Sequence, residues 1–185
     1  MAADVILLTG PPGSGKTTTA RSLALTYSKA VHLHTDDFWH YITAGRIPPH
    51  LAAADAQNHT VMGVIAGAAK AYTGGGFVCV VDGVVGPWML EHFRGMYDGS
   101  GSGSGGPRVH CIVLRPGRDE TLRRAQARRS PGALLDEGPV TAMWDQFADL
   151  GTLEGHAIDT SRDTPETTLA RVRKAVASGA YMLGS

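Results

Sequence analysis

Residues 10 to 17 read Gly-Pro-Pro-Gly-Ser-Gly-Lys-Thr and fit the P-loop pattern G-x-x-x-x-G-K-S/T. An uncharged apolar run at residues 5–8 precedes this stretch and predicts a buried strand, and residues 16–27 after it predict a helix. This strand–loop–helix context separates a working P-loop from a chance match to the pattern. The stretch therefore predicts binding of a nucleotide's phosphates; the alternative is a Gly-Pro turn before an ordinary helix.

Each residue type in this loop has a physical role in holding phosphate. Glycines let the backbone curl with its amides pointing inward, and the following helix adds the positive end of its dipole. Lys16 would place a cation on the β- and γ-phosphates, and the hydroxyl of Thr17 would bind Mg²⁺. The predicted nucleotide-binding residues of the loop are Gly10, Pro12, Gly13, Ser14, Gly15, Lys16, Thr17 and Thr18.

Composition predicts one globular domain over residues 1–185, with 43% hydrophobic and 18% charged residues. Its 17 basic and 17 acidic residues cancel, so we expect no nucleic-acid partner. The longest stretch free of charged side chains, residues 56–69, is shorter than the ~18 residues of a spanning helix. No basic segment of a signal peptide is visible at the N-terminus. We expect a cytoplasmic monomer or homodimer with no membrane partner.

Strand-like and helix-like segments alternate along the chain. Further strands are predicted at 31–34, 77–81, 109–114 and 156–159. Further helices are predicted at 36–42, 52–72, 87–97, 119–129 and 140–150, and a last one begins at Pro165 with Thr164 as its N-cap. This alternation predicts an α/β fold, with a parallel sheet covered by helices on both faces. Ligands of such sheets bind beyond the carboxyl ends of the strands.

A P-loop alone leaves three reaction classes open: a GTPase switch, a motor-type ATPase and a small kinase. Asn58 is the only Asn in the chain, so the guanine-reading motif N-K-x-D of GTPases is absent. The chain is also short for a motor ATPase with its helical lid domain. A small kinase needs a base near the acceptor hydroxyl, a carboxylate for the metal and arginines over the phosphates.

Three carboxylates follow predicted strands. Asp36 is the first candidate for the catalytic base that deprotonates the acceptor, and Asp37 is the second candidate or a helper. Their alternative role is capping of the short helix that follows. Asp82 resembles a Walker B acid that holds Mg²⁺ directly or through water, and it would also border the substrate. Its alternative role is to initiate a turn.

The predicted helix at 119–129 is the densest basic stretch of the chain, with Arg123, Arg124, Arg128 and Arg129. Arg124 and Arg128 share one face and are candidates for stacking on adenine and neutralising the transferred phosphoryl group. They would belong to a lid over about residues 124–139. For at least two of the four arginines, the expected role is a solvated basic surface.

The acceptor pocket would lie between Asp36 and Asp82. Its candidate walls are aromatic, and side chains of the long helix would add hydrogen bonds; these residues are Phe38, Trp39, Tyr41, Trp88, Gln57, Asn58 and His59. Aromatic residues at such spacings are also common in cores. No convincing metal spacing is formed by His32, His34, His40, His50 and His156. Two histidines two apart on a strand can chelate a metal, but no third ligand is evident, so no zinc site is predicted. The Gly/Ser-rich stretch at 98–107 is predicted to be a flexible loop, either natural or an engineered linker.

Together these features resemble the P-loop small-molecule kinases, which include shikimate, gluconate and chloramphenicol kinases. The nearest resemblance is to the chloramphenicol phosphotransferase-like branch, through LHTDDFWHYI around Asp36, FVCVVDGVVGPW around Asp82, TLRRAQAR in the lid helix and HAIDTS in the last strand. The resemblance implies a P-loop NTPase sandwich of three layers (α/β/α) with a five-stranded parallel sheet. It also implies ATP and Mg²⁺ as cofactors and a small-molecule hydroxyl, of a metabolite or an antibiotic-like compound, as acceptor. A kinase of a macromolecular hydroxyl and an ATP-binding regulator without an acceptor remain alternatives.

Overall fold

A computed structural model of the chain describes residues 3–94, 106–128 and 134–184. The strands are β1 (Val5–Thr9), β2 (Ala30–His34), β3 (Val78–Asp82), β4 (Val109–Leu114) and β5 (Ala157–Ile158). They pair in parallel in the order β2-β3-β1-β4-β5. The strand that leads into the P-loop therefore lies at the centre of the sheet, where its carboxyl end is flanked by the ends of β3 and β4.

Helices connect the successive strands, as the alternating pattern predicts. The helices are α1 (Lys16–Ala24), α2 (Thr35–His40), α3 (Asp55–Gly74), α4 (Glu91–Arg94), α5 (Arg118–Gln126), α6 (Glu137–Asp145) and α7 (Pro165–Ser178). Short 3-10 turns occupy Ala52–Ala54, Pro87–Met89 and Gly151–His156. Thr164 is the N-cap of α7, and its hydroxyl accepts a 3.2 Å hydrogen bond from the amide of Thr167. Among the described residues, no helix is long and apolar enough to cross a membrane.

Two hydrophobic cores form because alternate residues of each strand point to opposite faces of the sheet. Ile6 and Leu8 of β1 pack on one face with Leu23 of α1 and Val172 of α7. The residues on the other face come from β1, α3 and α4, and include Val5, Leu7, Met62, Ile65 and Phe93. The sheet is thus buried on both faces, which confirms the three-layer α/β/α fold.

The ends of several elements differ from the predictions. Helix α1 ends at Ala24 and α5 ends at Gln126, each about one turn before the predicted ends at residues 27 and 129. The helix predicted at 87–97 begins instead as a 3-10 turn, and α4 follows it from Glu91. Residues 95–97 of that helix, 98–105 of the Gly/Ser-rich stretch and 129–133 of the predicted lid lie outside the described residues.

Candidate nucleotide and acceptor site

The loop between β1 and α1 has a backbone that depends on its glycines. The φ angles of Gly10 and Gly13 are 144° and 87°, in the range that L side chains rarely adopt. A Cβ on Gly10 would lie 2.2 Å from the carbonyl oxygen of Leu114, and a Cβ on Gly13 would lie 2.5 Å from that of Thr121. The loop is therefore held against the end of β4 and against α5, with no room for a larger residue at either position.

Two polar groups of this loop are buried, the ammonium of Lys16 and the hydroxyl of Ser14. Lys16 is only 6% exposed, and its ammonium donates a 3.3 Å hydrogen bond to the carbonyl of Pro11. Burial, together with the nearby charge of Arg128, lowers the pKa of Lys16 to about 8. The hydroxyl of Ser14 is buried and has no hydrogen-bond partner among the described residues. A buried cation and an unpaired hydroxyl beside the N-terminus of α1 fit a phosphate group.

Asp82 is completely buried and accepts hydrogen bonds from three side chains. The hydroxyl of Thr17 donates to Oδ2 at 2.5 Å, and on Oδ1 the Nε2 of His32 lies at 2.5 Å and the Nδ1 of His34 at 3.1 Å. Burial by itself would raise the pKa of Asp82, but these three hydrogen bonds hold the pKa well below its usual range. Asp82 is thus a fixed anion behind the P-loop threonine, which a turn initiator exposed to solvent would not be.

His32 and His34 are the site residues that sequence reasoning missed. Because an ionised carboxylate can only accept, both rings donate to Asp82. The spacing of these two histidines could have identified them as a pair, since residues two apart on a strand lie on one face of the sheet. The missing information was the pairing of β2 with β3, which places the backbone of His34 opposite Asp82 and that of His32 opposite Val80.

Asp36 lies in the first turn of α2, and its carboxylate is 65% exposed. Its Oδ2 lies 3.6 Å from Nε2 of His34, the ring whose other nitrogen contacts Asp82. Hydrogen bonding to Asp82 raises the pKa of His34 against the opposing effect of burial, and the charge of Asp36 raises it further. The charge of Asp36 also acts on Lys16 and raises its pKa. Asp36 is therefore an accessible carboxylate within electrostatic range of the P-loop lysine.

The segment after β3 is hydrogen-bonded to Thr9, the residue that precedes the P-loop. The Thr9 hydroxyl donates to the carbonyl of Val85 and accepts from the amide of Val85, each at 2.9 Å. Gly83 lies so close to Thr35 that a Cβ on the glycine would come within 1.8 Å of the threonine hydroxyl. These contacts hold the carboxyl ends of β1, β2 and β3 together.

The aromatic residues predicted to line the acceptor pocket have different environments. Phe38 and Trp39 are partly buried against the core, and Trp39 donates a 2.9 Å hydrogen bond to the side chain of Asn58. The Gln57 amide is also already paired, through bonds of 2.8 and 2.9 Å to the backbone of Ile47. Gln57 and Asn58 thus hold the segment before α3 in place, and their amides are not free for an acceptor. Trp88, by contrast, is 54% exposed and accessible.

The arginines in α5 and just after it have different partners. Arg124 donates to Glu120 and braces α5 against the turn after β5, through bonds of 2.9 to 3.3 Å to the carbonyl oxygens of Thr160, Ser161 and Asp163. Arg128 lies close enough to Lys16 for its charge to lower the pKa of that lysine. Arg123 forms an exposed pair with Glu120, as expected for a solvated surface. Arg129 lies outside the described residues.

Comparison with known proteins agrees with this geometry. A family model described as an AAA domain matches residues 5–150. A search of curated proteins finds no match. Among solved structures, a sugar kinase from Janibacter sp. HTCC2649 is 20% identical with a TM-score of 0.68, covering 98% of this chain and 99% of that one.

Two further solved structures are similar over nearly the whole chain. A gluconokinase from Sinorhizobium meliloti 1021 is 15% identical with a TM-score of 0.70, covering 97% of this chain and 94% of that one. Shikimate kinase from Acinetobacter baumannii, in complex with shikimate, is 18% identical with a TM-score of 0.65, covering 95% and 94%. At these identities the likeness shows the fold, and it confirms the fold that the resemblance to P-loop small-molecule kinases implies.

Proposed function

The chain belongs to the AAA-domain family, and from that premise we propose that it is an ATP-dependent kinase of a small-molecule hydroxyl. The observation that carries the proposal is the position of the exposed carboxylate of Asp36, 3.6 Å from the ring of His34, whose other nitrogen contacts the buried Asp82 behind the P-loop. A phosphate-binding cation and an accessible base near one another are what phosphoryl transfer to a hydroxyl requires.

The P-loop residues would bind the β- and γ-phosphates of ATP. Lys16 is buried and, among the described residues, forms no ion pair, so phosphate oxygens would provide an anionic partner and raise its pKa. The unpaired hydroxyl of Ser14 would donate to a phosphate oxygen.

Thr17 and Asp82 would hold the Mg²⁺ of the nucleotide. The Thr17 hydroxyl donates a hydrogen bond to Asp82, which leaves the oxygen lone pairs of Thr17 for a cation. Asp82 is a fully ionised, buried carboxylate, which suits a hard divalent ion directly or through water. Bound Mg²⁺ neutralises charge on the β- and γ-phosphates.

Asp36 would accept the proton of the acceptor hydroxyl while that oxygen bonds to the γ-phosphorus. The bond from the γ-phosphorus to the bridging oxygen breaks in the same transfer, and ADP carries the electron pair away. His34, between Asp82 and Asp36, would orient the base. Arg128 would neutralise charge on the transferred group, and Arg124 would hold the turn at 160–163 beside the nucleotide.

The acceptor class is supported by the similar structures, which are kinases named for a sugar, gluconate and shikimate. Each of these is a small hydroxylated molecule. Two aromatic side chains are proposed to contact the acceptor, Trp88, which is exposed beyond β3, and Phe38, which lies in α2. The other residues proposed to contact it are Trp39, Asp36 and Asp82.

The test is ADP production from ATP and Mg²⁺ against a panel of hydroxylated metabolites and antibiotics. A small-molecule kinase gives turnover that one acceptor stimulates, with a product heavier by one phosphoryl group. Stimulation by a polynucleotide or a glycan alone would contradict the small-molecule acceptor. ATP binding with no stimulation by any acceptor would favour a regulator.

Lys16→Met is the matched control for this screen. It removes a cation whose pKa is already lowered by burial, so the variant should fold at least as stably as the wild type. The variant should nevertheless lose both ATP binding and acceptor-stimulated turnover. Calorimetric titration with ATP and a thermal melt without ATP separate the two effects.

A further inference from the structure

A cluster of ligating side chains joins α3 to α4, on the face of the sheet opposite α1. Nδ1 of His59 lies 2.9 Å from Nε2 of His92 and 3.8 Å from Oε1 of Glu91. One donor atom from each of the three residues lies within 4.8 Å of the other two. Both histidines are partly buried, whereas Glu91 is 68% exposed, so the cluster is partly buried on one side and open to solvent on the other.

The donor atoms are close to the spacing that a tetrahedral ion imposes. Zinc–nitrogen and zinc–oxygen bonds of about 2.0–2.2 Å put neighbouring ligand atoms about 3.3 Å apart. The nitrogen–nitrogen distance of 2.9 Å is shorter than this, and the nitrogen–oxygen distance of 3.8 Å is longer, by similar amounts. A small rotation of the exposed Glu91 and of the two rings would equalise them. Two imidazoles and a carboxylate are also a donor set that zinc uses.

A further carboxylate lies near the ring of His59, on the side away from the cluster. Its Nε2, the nitrogen away from the cluster, lies 3.8 Å from Oδ1 of Asp55, one turn earlier on α3. Histidines that bind metals commonly donate their second N–H to a carboxylate, which fixes the tautomer. With the proton on Nε2, on the side of Asp55, the lone pair of Nδ1 would face the cluster.

We propose that His59, Glu91 and His92 bind one divalent transition-metal ion of the zinc class, with water as the fourth ligand. Without metal, the two rings share one hydrogen bond, because two imidazole lone pairs cannot face each other at 2.9 Å. On binding, the donating ring would carry that proton on its other nitrogen, which leaves one lone pair of each ring for the ion. The ion would clamp α4 onto α3; a helix of four residues has little stability of its own.

The proposal is tested with the full chain, stripped of metal by a chelator and free of nucleotide. Titration with Co²⁺ should give the visible absorption of a tetrahedral site, and calorimetry with Zn²⁺ should give one ion per chain. Zn²⁺ should also raise the melting temperature of the wild type. His59→Gln and His92→Gln should each weaken Zn²⁺ binding at least ~10-fold, since each removes a direct ligand.

Two controls separate this site from other histidines and from the P-loop. His50→Gln changes an exposed histidine outside the cluster and should leave Zn²⁺ binding unchanged. Thr17→Ala changes the proposed Mg²⁺ site and should leave the Co²⁺ spectrum unchanged. Glu91→Gln changes an exposed side chain, so it should fold normally and still weaken binding.

Unchanged Zn²⁺ affinity in all three cluster variants would overturn the proposal. So would an octahedral Co²⁺ spectrum, or the absence of binding by the wild type; the two rings would then form only a hydrogen-bonded pair. Because ATP and its acceptor are absent from these measurements, their outcome is independent of the kinase proposal.

Discussion

The hydroxyl of Thr17 donates a 2.5 Å hydrogen bond to the buried carboxylate of Asp82, a residue 65 positions further along the chain. The bond joins the first turn of α1 to the end of β3 and fixes the direction of the threonine oxygen. Two histidines on the other carboxylate oxygen complete the network. The P-loop hydroxyl is therefore oriented by the fold before any ligand binds.

Replacing the acceptor of this network should destabilise the protein. Asp82→Ala leaves Thr17, His32 and His34 without their shared partner inside the protein, so we expect the free energy of unfolding to fall by about 2–4 kcal/mol. Urea unfolding measures the change. Asp37→Ala, at an exposed position in α2, is the control and should change it by about 0.5 kcal/mol or less. Equal effects would mean that the network contributes nothing.

The two adjacent acids of α2 should differ in their effect on turnover. Asp36→Asn removes the proposed base and should lower kcat with an acceptor by about 10²- to 10⁴-fold, with ATP affinity nearly unchanged. Asp37→Asn preserves the base and should lower kcat by less than about 10-fold. Steady-state kinetics and calorimetric ATP titration of both variants decide between them. A larger loss in Asp37→Asn would transfer the role of base to Asp37.

Two glycines provide a matched test of the packing after β3. In Gly83→Ala the new methyl group meets the side chain of Thr35, so we expect a loss of about 2 kcal/mol or more in unfolding free energy. Gly67→Ala lies within α3 with no atom within 4 Å of its Cβ position, and it should gain up to about 1 kcal/mol. Thermal melts compare the two. A neutral Gly83→Ala would show that the Thr35 side chain moves aside at no cost.

His110 should make the protein less stable in acid. The ring is fully buried in β4, and burial lowers its pKa below 6.5, although the charge of Asp4 opposes the shift. As the pH falls, the unfolded chain takes up the proton first, so the contribution to stability is complete above pH 6.5 and is lost as the pH falls through the folded pKa.

The change His110→Leu removes this titration. The stability of the wild type relative to the variant should therefore decrease between pH 7.5 and pH 5.5, measured by urea unfolding at each pH. A constant difference between the wild type and His110→Leu would rule out the proton linkage.

The local features of the site were predictable from sequence because they depend on residues close together in the chain. The P-loop, its flanking strand and helix, and the acid at the end of β3 follow from short-range pattern and residue type. The N-cap at Thr164 was predictable for the same reason.

Features that depend on long-range pairing were not predictable. The hydrogen bonds of His32 and His34 to Asp82 require the pairing of β2 with β3, and the sequence does not state the strand order. The contact between His59 and His92 requires that α4 pack on α3. These two histidines are 33 residues apart in the sequence, so no local spacing connects them. The sequence made Arg124 a candidate for contact with adenine. Its hydrogen bonds to the carbonyl oxygens at 160–163 could not be predicted, because they depend on how α5 packs against the turn after β5.

The chain leaves β2 at His34 and re-enters the sheet in the neighbouring strand, where Asp82 pairs with His34 across the two backbones. The connection at residues 35–77, including α2 and α3, starts at the carboxyl end of β2 and ends at Val78, which pairs with Ala30 at the opposite end of the two strands. Because the sheet fixes where this connection begins and ends, its sequence can change during evolution, and with it the side chains around Asp36, while residues 10–17 keep their conformation.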